Sequence, residues 1–214
     1  MNNEQLLQSL AADLRPVRPL RPPSLRAALW LGGAALVSAL VVSLTVGVHV
    51  FAIRVALPRV AWQCAGEALT AVSAVLAAFM RSVPGRSPRW ALLPLPACAL
   101  WLGASGLGCL ANGWGLRGDH SGSIDASMHC FVFILGASVP LAAALFAALG
   151  RAHPIDPLPV ATLGTLGVAA SAALVLEFFH PFDVTVIDLA LHLAAVAIVM
   201  ALGVGLRRRV LATV

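Results

Sequence analysis

The sequence predicts an all-α membrane protein: a six-transmembrane-helix bundle behind a short N-terminal amphipathic helix, with both termini cytoplasmic. Three observations predict it. Of 214 residues, 60% are apolar and only 11% are charged, whereas a soluble domain carries about 25% charged residues to keep its surface in water. The mean hydropathy is +0.92. Six apolar runs follow one another, each long enough to cross ~30 Å of hydrocarbon as a helix of about 20 residues. The charges between them are sorted by side.

Every basic residue is an arginine, fourteen in all, and the net charge is +5. Such a balance invites a nucleic-acid reading. The arginines, however, stand in short clusters between apolar runs, where membrane proteins keep their topology charges. No direct nucleic-acid binding is expected, and the lipid bilayer is the first partner.

Residues 1–26 form a cytoplasmic tail of two parts. Residues 3–14 (NEQLLQSLAADL) read as an amphipathic helix, with Leu6, Leu7, Leu10 and Leu14 on one face. A helix this short is marginal alone in water, so its leucines call for a partner surface. A spacer, RPVRPLRPPSLR, follows. Arg15, Arg18 and Arg21 recur every third residue, each followed directly by proline. Polyproline II has three residues per turn, so these arginines would form one ridge.

The transmembrane domain is expected over 27–206, with spans near 27–50, 60–80, 90–112, 128–150, 158–178 and 184–206, and a C-tail at 207–214. The first run is longer than a signal-peptide core, and no A-x-A-like site stands clearly after it, so it reads as a permanent helix. The second carries Glu67 and is the least apolar. The fifth has no charge before Glu177. The sixth contains Asp188 and His192 and runs into Arg207, Arg208 and Arg209. With the N-terminus inside, eleven arginines fall on the inner side and three (Arg54, Arg59, Arg117) on the outer side, a positive-inside pattern. Losing one span would put the terminal triplet on the wrong side.

That topology gathers the chemistry-bearing residues at the outer face. Cys64 begins span two, Cys109 ends span three and Cys130 begins span four, while Cys98 lies toward the other half. His49, His120, His129 and His180 lie on the same side, with Glu177, Asp119, Asp125 and Asp183. Asp188 and His192, at i and i+4, share a helix face, and ionisable groups at that depth are costly and usually paired or functional. Two chemistries are open to thiols there: a disulfide in an oxidising compartment, for which Cys109 and Cys130 are the natural pair, or thiolate and imidazole ligation of a soft or borderline ion. A third option is that the cysteines are simply small packing residues. No CxxC or HExxH occurs. The candidate sensor set is therefore Cys109, Cys130, His129 and His120, with Cys109, Cys130 and His129 as candidate metal ligands. The secondary polar cluster is His180, Asp183, Glu177, Asp188 and His192. No cofactor is assigned; a Cu or Zn ion is the candidate. No catalytic residue is expected, and the chain does not read as an enzyme.

Five segments carry a family resemblance: the tail EQLLQSLAADLRPVRPLRPPSLR, the loop VPGRSPRW, the segments GLGCL and HCFVF, and the corner FHPFD. Together they resemble the NrsF-like membrane anti-sigma factors, over nearly the whole chain. The resemblance implies a six-helix inner-membrane protein that holds down an extracytoplasmic-function (ECF) sigma factor of the sigma-F type. It implies a response linked to metal or oxidative stress, and it aligns the family's paired cysteines with Cys109 and Cys130. Leu6, Leu7, Leu10, Leu14, Arg15 and Arg18 are then the expected sigma-factor contacts. The outer loop after span three, GLRGDHSGSID, is short and rich in Gly and Ser, a departure that leaves its signal contact undefined. Cys64 does not map onto the family pattern. Two other functions compete with the anti-sigma reading: a small metal or proton transporter, which would need polar groups through the bilayer centre, and a membrane thiol-redox protein, which would need a closely spaced cysteine pair.

Overall fold

The fold is that of a computed structural model, which describes residues 2–12, 14, 19–46, 49, 52–53, 56–112, 124–179 and 185–211. Among them there are helices and no strands. α1 is Asn3–Ala12, α2 Pro23–Thr45, α3 Pro58–Arg81, α4 Leu95–Asn112, α5 Ile124–Gly150, α6 Pro157–Leu176 and α7 Val186–Leu211, with a short 3-10 helix at Pro88–Leu92 before α4. All but α1 are long and apolar enough to cross a membrane, the 3-10 turn and α4 counting together.

Proline marks where these helices begin. Pro23, Pro58 and Pro157 stand in the first turns of α2, α3 and α6. The missing N–H has no partner to lose there, and the fixed φ suits the helix. Pro140 instead lies inside α5, a position that membrane helices tolerate when neighbours satisfy the backbone. α7 begins with a capping arrangement. The Thr185 hydroxyl accepts the Asp188 N–H at 3.2 Å, satisfying one of the orphan donors of a helix start.

Two helices, α2 and α7, differ most from the sequence-based limits. α2 starts at Pro23 and ends at Thr45, a few residues earlier at each end than 27–50. α7 carries the triplet Arg207–Arg209 inside its last turns and ends at Leu211. Helix-forming arginines continue the helix past the apolar run, because their long stems can reach back to the interface while the charge stays outside.

α3 and α6 form the centre of the bundle, and α6 packs on α3, α5 and α7. Their contacts are close because small residues line them. A Cβ on Gly167 would meet Val75 Cγ2 at 2.6 Å. One on Gly203 would meet Thr165 Cγ2 at 2.0 Å, and one on Gly66 would meet the Trp101 backbone at 2.7 Å. Outside, the bundle presents Leu36, Leu40, Leu44, Leu107, Leu110, Val139 and Leu202 to its surroundings. That apolar exterior is what hydrocarbon, not water, accommodates.

One end of the bundle is rich in arginine. Arg26, at the start of α2, donates to the Ala148 carbonyl near the end of α5, and its guanidinium lies 5.0 Å from the Phe79 ring centroid. Arg81 closes α3, donating to the Arg86 carbonyl at 3.1 Å and standing 3.8 Å from Asp156. Arg207 donates to Val204 at 2.6 Å. None of the residues of α1 is buried.

Candidate functional site

The end opposite the arginines holds Cys109 and Cys130. Cys109, three residues from the end of α4, is buried and donates to the Thr185 carbonyl at 3.3 Å. It thus ties the end of α4 to the start of α7. Cys130, in the second turn of α5, is buried against Ile134, Ala172, Leu176 and Ala195. All four cysteines are present as thiols.

Cys130 has company. Its sulfur, a carboxylate oxygen of Asp188 and a ring nitrogen of His192 all lie within 4.8 Å of one another. Asp188 is 1% exposed. His192 Nδ1 stands 3.6 Å from Asp188 Oδ2, as the i, i+4 spacing on one helix dictates. Ser127, one turn before Cys130 on α5, hydrogen-bonds Asp188 and is itself buried. Two helices therefore converge on a sulfur, an oxygen and a nitrogen, held in part by a serine hydroxyl. A mixed thiolate, carboxylate and imidazole set suits zinc and the softer divalent ions.

The expected sensor set divides. Cys109 and Cys130 lie at the same end of the bundle, and Cys130 is joined by Asp188 and His192 from the secondary cluster. His129 points away: its Nδ1 is 2.8 Å from the Asp125 carbonyl and 3.6 Å from the Asp125 carboxylate, with both side chains largely exposed. Residues adjacent on a helix face about 100° apart, so His129 and Cys130 cannot share the inner face. Glu177, just past the end of α6, is buried. His120, His180, Asp183, Arg15 and Arg18 lie outside the described residues. Leu6, Leu7, Leu10 and Leu14 are all exposed.

Beneath the thiol cluster lies a cavity of about 170 Å³ among α3, α4, α6 and α7. His192 reaches one side of it. Gln63 and Glu67 of α3, Cys98, Trp101 and Ser105 of α4, and Glu177 just past α6 line the rest with aliphatic side chains. Gln63 Nε2 donates to Glu177 Oε1 at 2.6 Å. The sequence showed Glu67 only as a charge spoiling an apolar run. Gln63 stands four residues before it, and that i, i+4 pairing of polar residues inside a span is the signal that marks an inward face. Ser105, Ser127 and Trp101 left no such mark, because neutral polar residues scatter through membrane helices.

Comparison with known proteins adds one match. The family model described as NrsF, negative regulator of sigma F, matches residues 10–212. No curated protein and no solved structure matches the chain.

Proposed function

We infer the function of this chain, which belongs to the NrsF family of negative regulators of sigma F, as that of an inner-membrane anti-sigma factor that holds an ECF sigma factor against the cytoplasmic face. The N-terminal segment does the holding. A metal or oxidant arriving at the thiol end loosens that hold, and the sigma factor leaves for the polymerase.

The observation that carries this reading is α1. Its leucines are exposed, Leu7 at 65% and Leu10 at 59%, and the bundle buries none of the helix. An amphipathic helix with an uncovered apolar face docks into an apolar groove on a partner. Arginines on the following spacer, Arg15 and Arg18 among them, would reach acidic groups beside that groove. The arginine-rich end supports a cytoplasmic placement for the tail.

The signal enters at Cys130, Asp188 and His192. This set replaces the grouping with His129 as the candidate metal site, because its donor atoms converge. Binding there draws α5 and α7 together. Cys109 links α4 to the start of the same α7 through Thr185, so thiol oxidation or metal ligation at either cysteine acts on one helix end. A bound ion favours the releasing arrangement only by its difference in affinity between two states, and a tenfold preference corresponds to about 1.4 kcal/mol.

Full-length protein co-expressed with its sigma factor tests the first part. Leu7→Glu with Leu10→Glu is expected to move the sigma factor from the membrane fraction to the soluble fraction and to raise reporter output without an inducer. A sigma factor that stays with the membrane would shift the contact to the 81–89 loop. For the sensor, Cys130→Ser and His192→Ala are expected to remove the reporter response to cadmium or copper, and an undiminished response would sink the thiol mechanism.

A further inference from the structure

The chain has three glutamates in all, Glu4, Glu67 and Glu177. Two of them, Glu67 within α3 and Glu177 just past α6, meet inside the bundle. Glu67 is 2% exposed and Glu177 6%. Both line the cavity of about 170 Å³, and they are close enough to repel one another. The donors supplied to them are neutral. Gln63 hydrogen-bonds both carboxylates, and the Trp101 indole donates to Glu67. After those bonds one oxygen of Glu67, Oε2, remains buried with no hydrogen-bond partner among the described residues. Among the described residues, no arginine lines the cavity.

The physical problem is one of charge. A single carboxylate taken out of water costs several kcal/mol, and neutral donors offset only part of it. Two carboxylates side by side in low dielectric add mutual repulsion. Polar groups at membrane depth are retained where they do something. The cavity has room for an ion with water beside it, and its wall adds the Ser105 hydroxyl.

We propose that this cavity binds a hard divalent cation of the Mn²⁺ class between Glu67 Oε2 and the Glu177 carboxylate, with Ser105 and water filling the remaining positions. Carboxylate, hydroxyl and water oxygens are the ligands such ions select, whereas the sulfur and imidazole at Cys130 and His192 select softer ones. The cavity wall also carries His192 and Cys98, but the two carboxylates that define this position favour the harder ion. The cation joins α3 to the end of α6, the two most enclosed helices, and neutralises the charge that their packing buries. This site does not depend on the anti-sigma reading.

The test uses the purified full-length protein in detergent, stripped with chelator and titrated with Mn²⁺, with free Mn²⁺ followed by its paramagnetic resonance signal. The wild type is expected to bind one Mn²⁺ per chain. Glu67→Gln and Glu177→Gln are each expected to weaken binding at least tenfold, which is about 1.4 kcal/mol, while Cys130→Ser binds Mn²⁺ as the wild type does. Cadmium–thiolate absorption retained in Glu67→Gln shows that the variant is folded. If neither glutamate variant folds, wild-type protein grown on glutamate labelled with ¹³C at its side-chain carboxyl replaces them: coupling of that carbon to bound Mn²⁺ supports the site, and its absence overturns it. A wild type that binds no Mn²⁺ at millimolar concentration overturns the proposal. So does a protonated-carboxyl infrared band lost in Glu67→Gln while Mn²⁺ binding is unchanged, because a shared proton then does the work assigned to the metal.

Discussion

Gly66 stands next to Glu67 where α3 crosses α4, and a Cβ there would sit 2.7 Å from the Trp101 backbone. Backbone cannot swing aside as a side chain can. Gly66→Ala is therefore expected to part α3 from α4 and to destabilise the bundle by about 1–3 kcal/mol, read as a lower melting temperature in detergent. It would also pull the Trp101 indole from Glu67, so a red-side change in tryptophan emission should accompany the loss. Thr185 acts at the same scale. Thr185→Ala removes the hydroxyl that accepts the Asp188 N–H but leaves the carbonyl that accepts the Cys109 thiol. The loss is expected to be about 1 kcal/mol, as for other caps, with cadmium affinity falling as Asp188 loses its fixed position. By contrast, Asp156→Asn breaks a contact of 3.8 Å whose carboxylate is 63% exposed. It should change thermal stability by less than about 1 kcal/mol.

Among whole elements, α1 and α6 are opposites. α6 contributes Val160, Leu163, Gly164, Gly167, Val168 and Leu176 to the interior, and without it α3, α5 and α7 have no common surface. α1 contributes no buried residue. Deletion of residues 3–12 is expected to leave the melting temperature of the bundle unchanged while abolishing retention of the sigma factor. A deletion that lowers the melting temperature would show that α1 belongs to the bundle and is not a docking element. α7 carries the signal in the proposed function because it joins three things: Asp188 and His192 in its first two turns, the Cys109 contact just before it, and the arginine triplet at its far end.

For the molecule as a whole, the two ends of the bundle differ in kind. Arg26, Arg81 and Arg207 anchor one end to backbone carbonyls, and buried thiols, Asp188 and His192 occupy the other. With the arginine end inside, green fluorescent protein fused after Val214 should fluoresce. Alkaline phosphatase inserted between α4 and α5 should be active. The reverse pattern would invert the proposed path of the signal. A polar cavity inside the bundle is also what a small transporter would need, and flux of Mn²⁺ into proteoliposomes would separate transport from simple binding.

Composition and the spacing of charges determined by themselves that the chain is helical and that six segments suit a membrane, because hydrocarbon demands long apolar helices whatever their neighbours. The five matching segments likewise identified the family from sequence. The i, i+4 spacing of Asp188 and His192 already put them on one face. Only the tertiary structure decided which cysteine they meet. The sequence grouped His129 with Cys130 because both lie toward the outer face, but adjacent helical residues diverge, and the partners of Cys130 come from α7, more than fifty residues further on. Glu67 read as a flaw in the second span for the same reason. A lone charge in an apolar run is a cost until packing shows what faces it, and here Gln63, Trp101 and Glu177 do.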